Sequence, residues 1–292
     1  VSWLAANVVP DANIGDSSGN TPLQYACAEG YILVVKYLVE QLKVDVKQTN
    51  SWGMPALEVA FLRQQLGVVE YLLNAADIDI NFRDNAGATL VMKLCVESME
   101  DKCKTMEPLE FLLKKPGIDA LAVDTNGCNA LHYLAVQESG TAENYDGILE
   151  LLINLGLDIN SKTTNGKTAL LIAVANKARG HHFKVNTVLI QSLIKHGADI
   201  RDIRLEHNRN IMQYFAAGCS ELSLGIIEII EQGSSAELLK ELVEHRDDLG
   251  MNILHIVVEK CFCSGKKSTG DPWKMFEKLL GSSFNMDINS EV

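Results

Sequence analysis

Apolar and polar positions along the chain repeat as a block. Residues 16–48 open with a polar turn around Gly19. An apolar stretch about Leu23 follows, then Gly30, and then the run Val34, Val35, Leu38 and Val39 at helical spacing. A short return through Val44, Asp45 and Val46 leads into the next polar turn. This order predicts turn, short helix, tight loop, second helix and extended exit. Equivalents of Leu23 stand at Leu57, Val91, Leu131, Leu170, Met212 and Leu254, separated by 34, 34, 40, 39, 42 and 42 residues. Four residues ahead of each lies Gly19, Gly53, Gly87, Gly127, Gly166 or Gly250, with Asn208 once in place of Gly. Gly and then Asn best tolerate positive φ, so one backbone shape is expected at every turn.

The second-helix pattern returns as Val68, Val69, Leu72, Leu73, then Leu109, Phe111, Leu112, Leu113, then Ile148, Leu149, Leu151, Leu152. It returns again as Leu189, Ile190, Leu193, Ile194 and as Met275, Phe276, Leu279, Leu280. In the sixth block either residues 226–230 or residues 238–243 serve as the second helix, the other being additional. Exits recur at Asp79, Asp119, Asp158, Asp199 and Asp287. From core residue to second helix the first two blocks need 11 residues, the next two 17, the fifth 19 and the last 21. The extra residues therefore fall between the two helices, as longer first helices or as loops.

The best-preserved stretches are Thr21-Pro22-Leu23-Gln24-Tyr25-Ala26, Asn129-Ala130-Leu131-His132-Tyr133-Leu134 and Gly197-Ala198-Asp199-Ile200. In this the chain resembles the ankyrin-repeat family, whose period is about 33 residues with a T-P-L-H-x-A signature. There are departures. Only His132 and His255 keep the signature histidine, Thr-Pro is intact only in the first block, and the later blocks are long. The fold expected is all-α, an ankyrin-repeat solenoid of stacked helix pairs with short β-turn and hairpin connections. A single array is expected over residues 1–292, with 1–15 ending a preceding repeat. The repeats that follow are 16–49, 50–83, 84–123, 124–162, 163–204, 205–247 and 248–292. Neither end shows a polar capping face, so the chain is expected to be a segment of a larger protein.

Composition narrows the function. The net charge of −12 disfavours binding to phosphate backbones and suits partners with basic segments. No apolar run is long enough to insert in a membrane, and the opening residues do not read as a signal peptide. Seven cysteines, an odd number, fit free thiols in a reducing intracellular compartment, cytoplasmic or nuclear.

Candidate chemistry is sparse. His132 and His255 read as structural residues, with no paired nucleophile or acid. Cys261 and Cys263 lack metal-ligand spacing, so no metal is expected. The stretch 265–269 fails the phosphate-loop pattern because position 260 is Lys260, so no cofactor is expected. The chain is read as no enzyme.

Two surface signals remain. Residues 176–184 form a basic island with Arg179, His181 and His182. It reads first as a solvated loop and second as a contact for acidic partners. Trp52 sits at a turn tip where other blocks carry Ser18, Ala86, Asn126, Asn165 and His207. It is either a binding anchor or packed on a neighbouring tip. The family resemblance implies partner contacts at turn tips and first-helix ends on the concave side. By position these are Ser18, Asn20, Glu29, Trp52, Met54, Arg63, Asn126, Gln137, Asn165, Lys167 and Asn176. It also implies hydroxylation of exit asparagines, matched by Asn81, Asn160 and Asn289, although Asn also simply fits such a turn. The function expected is a non-catalytic scaffold binding a protein or peptide. The alternative is a targeting or regulatory segment of a larger enzyme or channel.

Overall fold

The computed structural model describes residues 11–75, 78–97, 107–136, 142–175, 186–201, 203–217 and 221–259. Fourteen α-helices lie among them. Extended pairing among the described residues is confined to two isolated bridges, Thr49 with Pro55 and Arg83 with Thr89. The chain divides into two units. One comprises Val1–Leu134, Leu151–Leu157 and Thr163–Asn165, and the other Ala135–Glu150, Asp158–Lys162 and Gly166–Val292.

In the first unit the helices are α1 (Pro22–Ala28), α2 (Ile32–Glu40), α3 (Ala56–Leu62), α4 (Leu66–Ala75), α5 (Leu90–Glu97), α6 (Glu107–Leu113) and α7 (Ala130–Leu134). Each is too short to persist alone in water, so packing must supply its stability. First helices stack in a line, α1 on α3, α3 on α5 and α5 on α7. Each second helix covers its own first helix, and α2 also meets α4. The core residues Leu23, Leu57, Val91 and Leu131 are all buried in this line. Val35, Leu38, Val68, Val69, Leu72, Leu109 and Leu112 close it from the second helices.

The second unit holds most of α8 (Ala142–Asn154), then α9 (Ala169–Ala175), α10 (Thr187–Lys195), α11 (Ile211–Ala216), α12 (Glu221–Gly233), α13 (Ala236–Glu244) and α14 (Ile253–Val257). Here α9 packs on α10, and α12 packs on both α10 and α11. That placement resolves the sixth block. Residues 226–230 lie on α12 in the second-helix position, and α13 is the additional helix, resting on α11. Leu170 and Met212 are buried as expected, whereas Leu254 is only partly buried and Ile253, Ile256 and Val257 are the fully buried residues of α14.

In the fourth block the extra residues are placed differently from the longer first helix or loop expected. There the first helix does not lengthen: α7 has 5 residues, Ala130–Leu134. Part of the fourth insertion instead extends the second helix forward, so that α8 starts at Ala142, ahead of Ile148. The extension is held because Tyr145 is fully buried and accepts a hydrogen bond from Asn186 Nδ2 at 2.6 Å. The second-helix pattern at Met275, the exit at Asp287, and Cys261 and Cys263 lie outside the described residues.

Candidate functional site

Five of the turns are each built by one acceptor side chain. Asp16 Oδ1 accepts the backbone N–H groups of Ser18 and Asn20, each at 2.8 Å. Asp84 does the same for Ala86 and Ala88, Asp124 for Asn126 and Cys128, Asp247 for Leu249 and Met251, and Asn50 for Trp52 and Met54. The fourth residue of each turn has φ near +75°: Gly19, Gly53 and Gly250 at 75° and Gly87 at 77°. Asn208, which stands in for Gly in the sixth block, takes φ 58° as expected, and His207 shares that value. In the first unit these turns form a row of tips, joined in part by backbone hydrogen bonds.

The free oxygen of the turn aspartate reaches the first helix. Tyr25 Oη donates to Asp16 Oδ2 at 2.7 Å and Tyr133 Oη to Asp124 Oδ2 at 3.0 Å. In the third block Lys93 Nζ takes the same role, 3.2 Å from Asp84 Oδ2. The Tyr25 hydroxyl and neighbouring N–H groups hold the Asp16 carboxyl below its ordinary range. At Asp84 burial pushes the pKa up, but the Ala88 N–H and the Lys93 ammonium outweigh it, and the net shift is down. Burial, with the Asp124 carboxylate added, pushes the Tyr133 phenol up.

The signature-histidine position joins neighbouring helix pairs. Gln24 Oε1 accepts the Thr21 N–H at 2.8 Å, closing a capping box, while Nε2 donates to Met54 C=O at 2.7 Å and Gln48 C=O at 3.4 Å. Gln213 repeats this, accepting from Asn210 N–H and donating to His245 and Met251 C=O, each at 3.0 Å. His132 Nδ1 accepts the Asn129 N–H at 3.1 Å, and His255 Nδ1 lies 2.6 Å from Asn252 Oδ1, so both histidines serve helix starts. At Glu58 the position is acidic, and its carboxylate pairs with Lys93 at 2.9 and 3.1 Å.

The expected contact residues fall into three groups. Trp52 is 64% exposed, which removes the reading of it as packed on a neighbouring tip. Glu29, Arg63, Asn126, Asn165 and Lys167 are also exposed. Ser18, Asn20 and Met54 are half-buried and belong to the turn framework. Ser18 C=O accepts from Ser51, Asn20 Oδ1 from Asn50 Nδ2, and Met54 C=O from Gln24. Gln137, Asn176, Arg179, His181, His182 and Asn289 lie outside the described residues.

The exit asparagines have a structural task. Asn81 Nδ2 donates to Gly117 C=O at 2.8 Å, and its Oδ1 accepts from Asp119 N–H at 2.8 Å. Asn160 does the same with Gly197 and Asp199, at 3.3 and 2.7 Å. Sequence reasoning missed this bridge, as it missed Tyr25, Lys93 and Tyr133. A ninth-residue spacing from each turn aspartate was the available signal. It also missed Leu249, a tip residue 63% exposed.

Among the described residues no three His, Cys, Asp or Glu side chains group as a metal site, and no helix is long and apolar enough to cross a membrane.

Residues 1–84 match the family model of ankyrin repeats in three copies. The chain is 30% identical over 182 residues to the poly(ADP-ribose) polymerase tankyrase of Caenorhabditis elegans, covering 56% of this chain and 8% of that protein. It is 29% identical over 169 residues to the human transient receptor potential cation channel subfamily A member 1, covering 55% of this chain and 14% of the channel. It is 26% identical over 162 residues to the palmitoyltransferase AKR1 of Lachancea kluyveri, covering 54% of this chain and 20% of that protein. The chain thus spans a fifth or less of these relatives' lengths. Among solved structures the ankyrin repeat domain of Bcl-3 superposes with a TM-score of 0.54 at 19% identity, covering 88% of this chain and all of that one. Helix pairs stacked through their first helices, glycine turns at positive φ and these likenesses agree: the fold is that of ankyrin repeats, and residues 1–84 match the ankyrin-repeat family model.

Proposed function

We propose that this chain is a non-catalytic interaction scaffold that grips a partner protein or peptide through its turn tips and the exposed sides of its first helices. The observation that supports this best is the contrast within each turn. Its backbone is fixed by several short hydrogen bonds, yet it presents side chains such as Trp52 and Asn126 to water. A frame already ordered before binding loses little conformational entropy, so a few exposed anchors suffice for affinity. The net charge of −12 favours partners with basic segments and disfavours nucleic acid. Cys27, Cys95 and Cys128 take part in no disulfide, consistent with an intracellular setting. Hydroxylation of Asn81 and Asn160 remains a proposal, and each amide already bridges to the next exit.

A second reading has specific support. The chain covers only 8% of a polymerase, 14% of a channel and 20% of a transferase, so it also fits an ankyrin segment of a larger enzyme or channel. The test is a hydrogen-exchange footprint of the chain with a partner isolated by cross-linking. Protection is expected at the tips and first helices. Protection confined to the second helices would refute the proposal, as would turnover of substrate by this chain alone.

A further inference from the structure

Neighbouring tips of the first unit are joined by a backbone hydrogen bond, with one exception. Ser51 N–H donates to Ser18 C=O at 2.9 Å, Thr125 N–H to Ala86 C=O at 3.0 Å and Thr164 N–H to Asn126 C=O at 3.0 Å. Between the second and third blocks the same register calls for Asn85 N–H on Trp52 C=O. Among the described residues neither group makes that bond. Three further observations mark the same seam. A Cβ on Gly19, Gly87 or Gly127 would stand 3.0, 3.3 or 2.9 Å from the backbone nitrogen of Ser51, Thr125 or Thr164, whereas one on Gly53 would meet nothing within 4 Å. The helix α3 meets α5 only sparsely, while α1 packs closely on α3 and α5 closely on α7. The Thr89 hydroxyl at the head of α5 is buried and has no hydrogen-bond partner, which buried polar atoms ordinarily find.

What crosses the seam differs between its two sides. On the side of the first helices, Lys93 Nζ reaches back from α5 to Glu58 on α3 at 2.9 Å, and also holds Asp84 of its own turn at 3.2 Å. Glu58 stands where Gln24 gives an amide N–H to the next block, and an ionised carboxylate has none to give. On the exit side the ties are directional. Asn81 bonds Gly117 C=O and Asp119 N–H, each at 2.8 Å, and Arg83 Nη1 donates to Val123 C=O at 2.9 Å. Behind the first helices, the ring of Phe61 on α3 lies 6.3 Å from that of Phe111 on α6, and Phe61 is fully buried.

We infer that the seam between the second and third blocks is a hinge within the first unit. Its arms are α1 to α4 and α5 to α7 with their turns. The tips part and close, while the exits pinned by Asn81 and Arg83 act as the pivot. A sparse contact between two well-packed bodies is where rotation breaks fewest close contacts, so motion concentrates there. The ion pair is the latch. Coulomb attraction falls off gradually with distance, whereas a hydrogen bond to a backbone carbonyl is lost within a few tenths of an ångström, so Lys93 can follow Glu58 through a small opening. Trp52, 64% exposed, rides on the lip of the first arm, and its distance from the third tip changes with the hinge angle.

The test places nitroxide labels on keto-bearing residues in the whole chain, which leaves the seven native cysteines untouched, and reads distances by double electron–electron resonance. Ser17, Asn85 and Thr164 are equivalent, exposed positions on the first, third and fifth tips. The Ser17–Asn85 pair spans the seam, and the Asn85–Thr164 pair steps over as many tips without it. Lys47 and Leu121, also exposed, span the seam on the exit side. The Ser17–Asn85 distribution should be about twice as broad as that of Asn85–Thr164, with Lys47–Leu121 staying narrow. Lys93→Gln should broaden the Ser17–Asn85 distribution further and leave Asn85–Thr164 unchanged; if that variant does not fold, the wild-type comparison decides alone. A Ser17–Asn85 distribution as narrow as the Asn85–Thr164 one would overturn the inference. So would a Lys47–Leu121 pair as broad as Ser17–Asn85, or a Lys93→Gln change that broadens both tip pairs alike.

Discussion

Gln24 offers the sharpest test of how adjacent helix pairs are joined. Its side chain is 2% exposed and makes three hydrogen bonds. One runs to the start of its own helix at Thr21, and two cross to the backbone of the next block at Met54 and Gln48. Gln24→Ala removes all three and strands the Thr21 N–H, while the Met54 carbonyl keeps its bond from Asn50 N–H. At roughly 1 kcal/mol per bond, the loss should be about 2–4 kcal/mol. Two further substitutions separate the crossing bonds from the local one. Gln24→Glu keeps an acceptor for Thr21 but points a lone pair at Met54 and buries a charge, so it should cost at least as much as alanine. Gln24→His offers a ring nitrogen to Thr21, as His132 does to Asn129, and should stay closest to wild type. The assay is urea unfolding followed by circular dichroism, with the slope of the transition compared across variants. Gln24→Ala within about 0.5 kcal/mol of wild type would refute the reasoning. So would a glutamate variant as stable as the histidine variant.

Two other outcomes follow from the packing and the charges. Leu131 is 1% exposed at the head of α7, and Leu131→Ala should lose about 2–5 kcal/mol, visible as a lower thermal midpoint. An unchanged melt would count against the assigned core. The folded Asp84 carboxyl sits below its ordinary value of 3.8, so its ionised form stabilises the fold fully above that pH. That contribution is lost as pH falls through the lower, folded pKa. The stability gap between wild type and Asp84→Asn, read from urea midpoints, should be present at neutral pH and close in acid. A gap that widens in acid would contradict the sign.

Much of the framework could be read from residues whose reasons are local. A turn needing positive φ asks for Gly, and Asn208, at φ 58°, shows why Asn was its one substitute. Leu23, Leu57, Leu131 and Leu170 mark the buried line because a short helix has few apolar positions to offer. The forward extension of α8 was hidden because Tyr145 is secured by Asn186, 41 residues away, and nothing in residues 142–147 announces it. Gln24 and Gln213 looked like departures from a histidine signature. Chemically they are substitutes, since an amide, like an imidazole, has one donor end and one acceptor end. Glu58 is a departure in chemistry, having no donor to offer, and Lys93 answers it; Met92 and Leu171 at the same position offer no donor either. Neighbouring turns of the first unit are joined by Ser51 N–H to Ser18 C=O, Thr125 to Ala86 and Thr164 to Asn126, whereas among the described residues Asn85 N–H makes no such bond to Trp52 C=O. That difference could not be foreseen, because a separation between two turns is a property of their relative placement, and each turn taken singly obeys the same rules as the others.

The bonds between tips also have a direction. In every pair the later turn gives its N–H and the earlier gives its carbonyl: Ser51 to Ser18, Thr125 to Ala86, Thr164 to Asn126, and Asp248 to His207. A turn is thus a two-sided connector, acceptor on one side and donor on the other. Like sides of two such connectors, brought face to face, would set carbonyl against carbonyl or N–H against N–H. Continuing such a row by the same bonds therefore requires each further turn to approach head to tail.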